Sequence, residues 1–217
     1  MSTSVLEEYI ETGNFQDLDL LLSKDPQLVN EKTSQEISAL LLACYYRKPQ
    51  IIEVILKHIT TITIHEACAV GLKDHVQMMI DYKKDIVDEL STHGFTPLGI
   101  ATHFNHEDIV GLLLKHHADP NISSQNGFNV FPLHASVSAN NTSISRMLLE
   151  AGAEVNIFQQ GNMTPLHFAA QHGNIDLIIL LLEKGADIHA ITSTGDTASM
   201  IASSKGYHEL ASILQIN

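Results

Sequence analysis

Residues 164–173 read Thr-Pro-Leu-His-Phe-Ala-Ala-Gln-His-Gly, and residues 180–189 read Leu-Leu-Leu-Glu-Lys-Gly-Ala-Asp-Ile-His. The first stretch opens a helix. A Thr can cap the free N–H groups, and Pro follows at the first helical position, where a missing N–H costs nothing. The second stretch closes one, with an apolar run followed by a Gly that tolerates positive φ. Two short helices therefore fit between residues 164 and 185. The same order recurs upstream. Residues 94–101 read Gly-Phe-Thr-Pro-Leu-Gly-Ile-Ala, and 112–121 read Leu-Leu-Leu-Lys-His-His-Ala-Asp-Pro-Asn. Residues 131–135 read Phe-Pro-Leu-His-Ala, and 148–156 read Leu-Leu-Glu-Ala-Gly-Ala-Glu-Val-Asn.

With the Thr before Pro as the marker, weaker copies extend the register to Ser4, Ser38, Ile62, Thr96, Phe131, Thr164 and Thr197. Most neighbours are 33 to 35 residues apart, but Ser38 and Ile62 are separated by only 24. The loop between the second and third copies is therefore expected to be missing or reduced. Asn129-Val130 reads as a two-residue insertion before Phe131, which a surface loop absorbs easily. Each copy has one bare apolar side, so neighbouring copies must stack to bury it.

The Thr-Pro-Leu-His-x-Ala-Ala and Leu-Leu-Leu-x-x-Gly-Ala-Asp stretches resemble the two signatures of the ankyrin-repeat family. The resemblance covers essentially the whole chain and is strongest over residues 94–198. It implies an all-α solenoid of stacked helix-turn-helix units joined by β-turn finger loops. The expected organisation is one domain over 1–217, with repeats at 1–33, 34–58, 59–92, 93–125, 126–159, 160–192 and 193–217. The polar first and last repeats are expected to act as caps of a complete array. His65, His134 and His167, at the marker-plus-three position, are expected to hydrogen-bond neighbouring turns. Cys44 and Cys68 occupy equivalent places in adjacent repeats, so they are expected to be buried free thiols, too far apart for a disulfide.

Composition narrows the function. The chain has 217 residues, 44% of them hydrophobic, and a formal net charge of −13. Such acidity repels phosphate backbones, so no nucleic-acid partner is expected, and it favours a protein partner with a basic surface. The N-terminus has no basic region before an apolar run, and the run Leu177–Leu182 is too short to span a membrane. A cytoplasmic monomer with no membrane association is the expectation.

Chemistry is hard to find. Thirteen histidines invite a metal, and His103 and His106 form the best pair, but no third ligand completes a tetrahedral set. Nucleophile elbows, zinc-protease helices and phosphate loops are absent. No enzyme activity, cofactor or metal is therefore expected. The leading function is a scaffold, adaptor or inhibitor that binds a protein on its concave face. An effector delivered by an intracellular microbe into its host is an alternative, and an enzyme with an unrecognised site is the remaining one.

The family resemblance also suggests where a partner sits. Ankyrin proteins use finger loops and the exposed face of each first helix. By register, the first-helix positions include Tyr45, Tyr46, His103, Phe104, Gln171 and His172. The finger positions include Phe95, Phe128, Val130, Phe158 and Met163. The solvent-facing rings are expected to form an apolar patch, and such patches mark interaction sites. The resemblance further implies hairpin hydroxylation at Asn121, Asn156 or His189, each with a Leu eight residues before and an acidic residue two before.

Overall fold

A computed structural model describes residues 4–34 and 36–215. Residues 1–3, 35, 216 and 217, which fall in the first, second and last expected repeats, lie outside the described residues. Fourteen α-helices follow one another in pairs, with no named strand among the described residues. The backbone divides into two compact units, Met1–Leu72 and Lys73–Asn217.

The first unit contains α1 (Val5–Thr12), α2 (Phe15–Lys24), α3 (Ala39–Tyr45), α4 (Pro49–His58) and α5 (Ile64–Val70). Local chemistry starts the helices. Ser4 accepts from the Glu7 N–H, and Ser38 accepts from the Leu41 N–H. Gly13, at φ 80°, closes α1. Leu6, Ile10, Leu18, Leu22, Leu40, Ile51 and Ile55 form the core. Burying each large aliphatic side chain stabilises the fold by about 2 kcal/mol. Residues 25–38 join α2 to α3 through a 3₁₀ turn and a Lys32–Ser38 bridge, whereas α4 reaches α5 through residues 59–63 alone. The finger is therefore absent at this junction, where the short spacing placed its loss.

Three details of the expected register change here. The cap of α5 is Thr63, not Ile62, so the spacing to Thr96 becomes 33. The Thr63 hydroxyl accepts from the Glu66 N–H, and the Glu66 carboxylate accepts from the Thr63 N–H. Glu66 thus does the work of the marker-plus-three His, and His65 lies one place earlier, buried. Cys68 likewise sits one place before the true equivalent of Cys44. An Ile cannot accept a capping hydrogen bond, so the Thr beside it wins. Both thiols are free and buried. Burial pushes Cys44 up to about 12 and moves Cys68 in the same direction.

The second unit begins with α6 (Lys73–Tyr82) and then carries four pairs. These are α7 (Pro97–His103) with α8 (Glu107–Lys115), and α9 (Pro132–Ser138) with α10 (Thr142–Glu150). They continue as α11 (Pro165–His172) with α12 (Ile175–Glu183), and α13 (Ala198–Ser204) with α14 (His208–Ile213). Pro97, Pro132 and Pro165 each occupy the first turn. Gly152 and Gly185 follow their helices at φ 94° and 84°. Leu98, Ile109, Leu113, Leu133 and Ile144 are fully buried between successive pairs. The two-residue insertion closes into a local turn. Asn126 Oδ1 accepts from Ser124 Oγ and from the Phe128 N–H, and Asn129 takes φ 52°.

Candidate partner-binding surface

Polar bonds tie each repeat of the second unit to the next along several parallel rows. At the finger tips, the Gln125 N–H donates to Gly94 O at 2.8 Å, and the Ser193 N–H donates to Gly161 O at 2.8 Å. Gln160 N–H reaches Phe128 O at 3.3 Å between them. Below the tips runs an asparagine row. Asn121 Nδ2 donates to Gly152 O, and its Oδ1 accepts from the Glu154 N–H. Asn156 repeats this with Gly185 O and the Asp187 N–H. At the far end of the first helices, His172 Nε2 donates to Ser138 O at 3.0 Å. Asn174 Nδ2 donates to Asn140 Oδ1 at 2.7 Å. Each loop is thus held at several points, and a side chain mounted on it loses little freedom when a partner docks.

The buried histidines form the innermost row. His167 Nε2 donates to Ala190 O at 3.1 Å, while its Nδ1 accepts from the Thr164 N–H at 3.0 Å. That pairing requires the neutral ring with its proton on Nε2. His134 Nε2 donates to Met163 O at 3.0 Å. Phe131 stands where Thr164 stands one repeat later, so no cap hydroxyl faces the ring. His134 Nδ1 has no hydrogen-bond partner among the described residues. Burial pulls His134 down to about 4, and it lowers His167 as well.

The expected partner-binding residues differ in exposure. Phe128 and Phe158 are the open ones, at 54% and 62%. Phe95 and Phe104 are half-buried. The Phe95 N–H donates to Ser91 Oγ and its carbonyl accepts from the Ser91 N–H, drawing it into the turn. Phe104 caps α7, and its ring meets His103 edge-on with centroids 4.9 Å apart. His103 and His172 are exposed, while Val130, Met163 and Gln171 are half-buried. Met163 is held by its carbonyl, which accepts from both the Gln159 N–H and His134 Nε2. Asn121 is half-buried, and Asn156 and His189 are exposed. In the first unit, Tyr45 and Tyr46 are both exposed, and the Tyr46 hydroxyl donates to Glu11 Oε1 at 3.0 Å.

One residue escaped the sequence reading. Ile191, 56% exposed, lies 33 positions after Phe158, in the same place on the next finger. Phe158 and Ile191 face a cleft of about 310 Å³ with Asn156, Asn162, Asp187 and Ala190. The repeat register itself was the signal that could have found it.

Comparison with known proteins agrees with the architecture. A family model of ankyrin repeats in three copies matches residues 59–124 and 122–192. The chain belongs to the ankyrin-repeat family. It is similar to the ankyrin repeat and SAM domain-containing protein 6 of Rattus norvegicus, 25% identical over 147 residues, which is 68% of this chain and 14% of that protein. The same protein of Mus musculus aligns over the same shares. It is also similar to the nuclear factor NF-kappa-B p105 subunit of Gallus gallus, 36% identical over 132 residues, 59% of this chain and 13% of that one. The chain therefore spans about a seventh of the length of these relatives. Ankyrin repeats are protein-interaction modules and are typically non-catalytic. Among the described residues, no helix is long and apolar enough to cross a membrane, and no group of three or more His, Cys, Asp or Glu could hold a metal ion.

Proposed function

We propose that this ankyrin chain is a scaffold, adaptor or inhibitor that acts by occupying a protein partner, without catalysis. The observation that carries the reading is the set of open apolar side chains Phe128, Phe158 and Ile191 on hydrogen-bonded fingers. Large apolar groups held in water on a rigid frame mark interaction sites. Half-buried Phe95 and Phe104, with exposed His103 and His172, continue the surface along the first-helix ends. These positions make up the concave face of an ankyrin stack. In the first unit, exposed Tyr45 and Tyr46 supply partner contacts. The chain works as a monomer in the cytoplasm, and its net charge of −13 suits a basic partner surface.

Affinity capture from lysate tests this, using the wild-type chain, Phe95→Ala with Phe104→Ala, and Phe128→Ala with Phe158→Ala. Specific partners should be captured by the wild type and lost from at least one double variant whose thermal midpoint is unchanged. Capture that survives both double variants, or that disappears only with unfolding, refutes the surface.

A second reading concerns modification of Asn121 and Asn156. Both carboxamides already hold the next repeat through oxygen and nitrogen, so a hydroxyl added at Cβ leaves those bonds in place. Intact-mass analysis after co-expression with an asparaginyl hydroxylase tests it. The absence of a one-oxygen mass increase refutes it.

A further inference from the structure

We propose that the finger edge of the second unit binds an extended basic segment whose single apolar side chain enters the Phe158–Ile191 cleft. This rests on the protein-interaction reading and adds the chemistry of the partner. The cleft has two open apolar walls, Phe158 and Ile191, and one carboxylate on its rim, Asp187. No Lys or Arg lines it.

Asp187 is one of a row. Asp119, Glu154 and Asp187 occupy the same position in three successive repeats, and all three are exposed. Hydrogen bonds fix the row. Asp119 Oδ1 accepts from the Asn121 N–H, and Asp187 Oδ1 accepts from the His189 N–H. Backbone N–H groups of Glu154 and Asp187 are held by Asn121 and Asn156. Among the described residues, no Lys or Arg forms a salt bridge with any of the three. One carboxylate oxygen of Asp187 is thus spoken for, and the other is free to meet a cation.

The spacing selects the ligand. Neighbouring helix layers lie roughly 8–10 Å apart, and an extended chain in the polyproline II conformation, with three residues per turn and about 3.1 Å per residue, returns a side chain to the same face about every 9 Å. Basic side chains about three residues apart therefore meet successive carboxylates. An apolar residue between them meets the cleft, whose volume of about 310 Å³ has room for a large side chain. The carboxylates steer and orient the segment, while the buried apolar side chain supplies most of the holding energy.

A phage-displayed random dodecapeptide library, panned on the full chain, tests the proposal. Enriched peptides should carry Lys or Arg at about three-residue spacing around one large apolar residue. The best peptide, synthesised with a fluorophore, should bind at least tenfold more weakly to Phe158→Ser with Ile191→Ser. It should also weaken severalfold when salt is raised from about 50 to 500 mM. Glu154→Gln with Asp187→Asn keeps the shape of the loops and the Asp187 acceptor, and should weaken binding about fivefold. Enrichment of acidic or uncharged peptides, no enrichment, or binding unaffected by both double variants overturns the proposal. If a cellular partner is captured as well by Phe158→Ser with Ile191→Ser as by the wild type, this inference fails while the broader interaction reading stands.

Discussion

Acidification should weaken the second unit through His134, and the loss can be sized. The ring is buried and neutral, with Nε2–H bound to Met163 O and Nδ1 unpartnered among the described residues. Its folded value is about 4, against about 6.5 in an unfolded chain. Between those values the unfolded chain binds the proton and the folded chain does not. The stabilisation is therefore complete above about pH 6.5 and is lost as pH falls towards 4. The full loss is about 3 kcal/mol, and about 2.5 kcal/mol of it falls between pH 7.5 and 4.5. His134→Gln keeps a side-chain N–H for the Met163 carbonyl and removes the titration. The chain has no Trp, so urea unfolding is followed by far-UV circular dichroism at the two pH values. Carboxylates titrate in both proteins and cancel in the comparison. The wild type should lose about 2 to 3 kcal/mol more than His134→Gln. Equal losses, or an NMR titration of the His134 ring with a midpoint near 6.5, would refute the reasoning.

Other outcomes follow from single contacts. A Cβ at Gly94 would lie 2.9 Å from the Gln125 backbone nitrogen, whereas one at Gly152 meets nothing within 4 Å; both have positive φ. Gly94→Ala should therefore cost at least about 1 kcal/mol more than Gly152→Ala in chemical unfolding, since it also strains the finger-tip hydrogen bond. Asn156→Ala removes two bonds to the next repeat and should lower stability by about 1 to 2 kcal/mol, with Asn121→Ala behaving alike. Cys44 and Cys68, buried and held as thiols, should resist Ellman's reagent until the first unit unfolds. Rapid labelling of the native protein at neutral pH would contradict that burial.

The helices were legible because their signals are local. Thr96 and Thr164 before Pro, and the glycines at 152 and 185, act within one turn of chain, so a linear reading places them. The missing finger after α4 was legible for the same reason, as a deficit in spacing. The register slip at Ile62 shows the limit: Thr63 was the cap because Glu66 could answer it, and that reciprocity is a matter of side-chain geometry. Exposure of the rings was not legible. Phe95 and Phe104 look as apolar as Phe128 and Phe158, but turn closure and a neighbouring His draw the first two inward. The cleft lies between fingers 33 residues apart, and the state of His134 depends on Phe131 replacing a hydroxyl and on a carbonyl from the next repeat. Sequence by itself determined the repeat, its period and its buried faces, because helix caps and apolar spacing are short-range. Only the tertiary structure decided which side chains remain open to a partner, because that depends on what the next repeat lays over each of them.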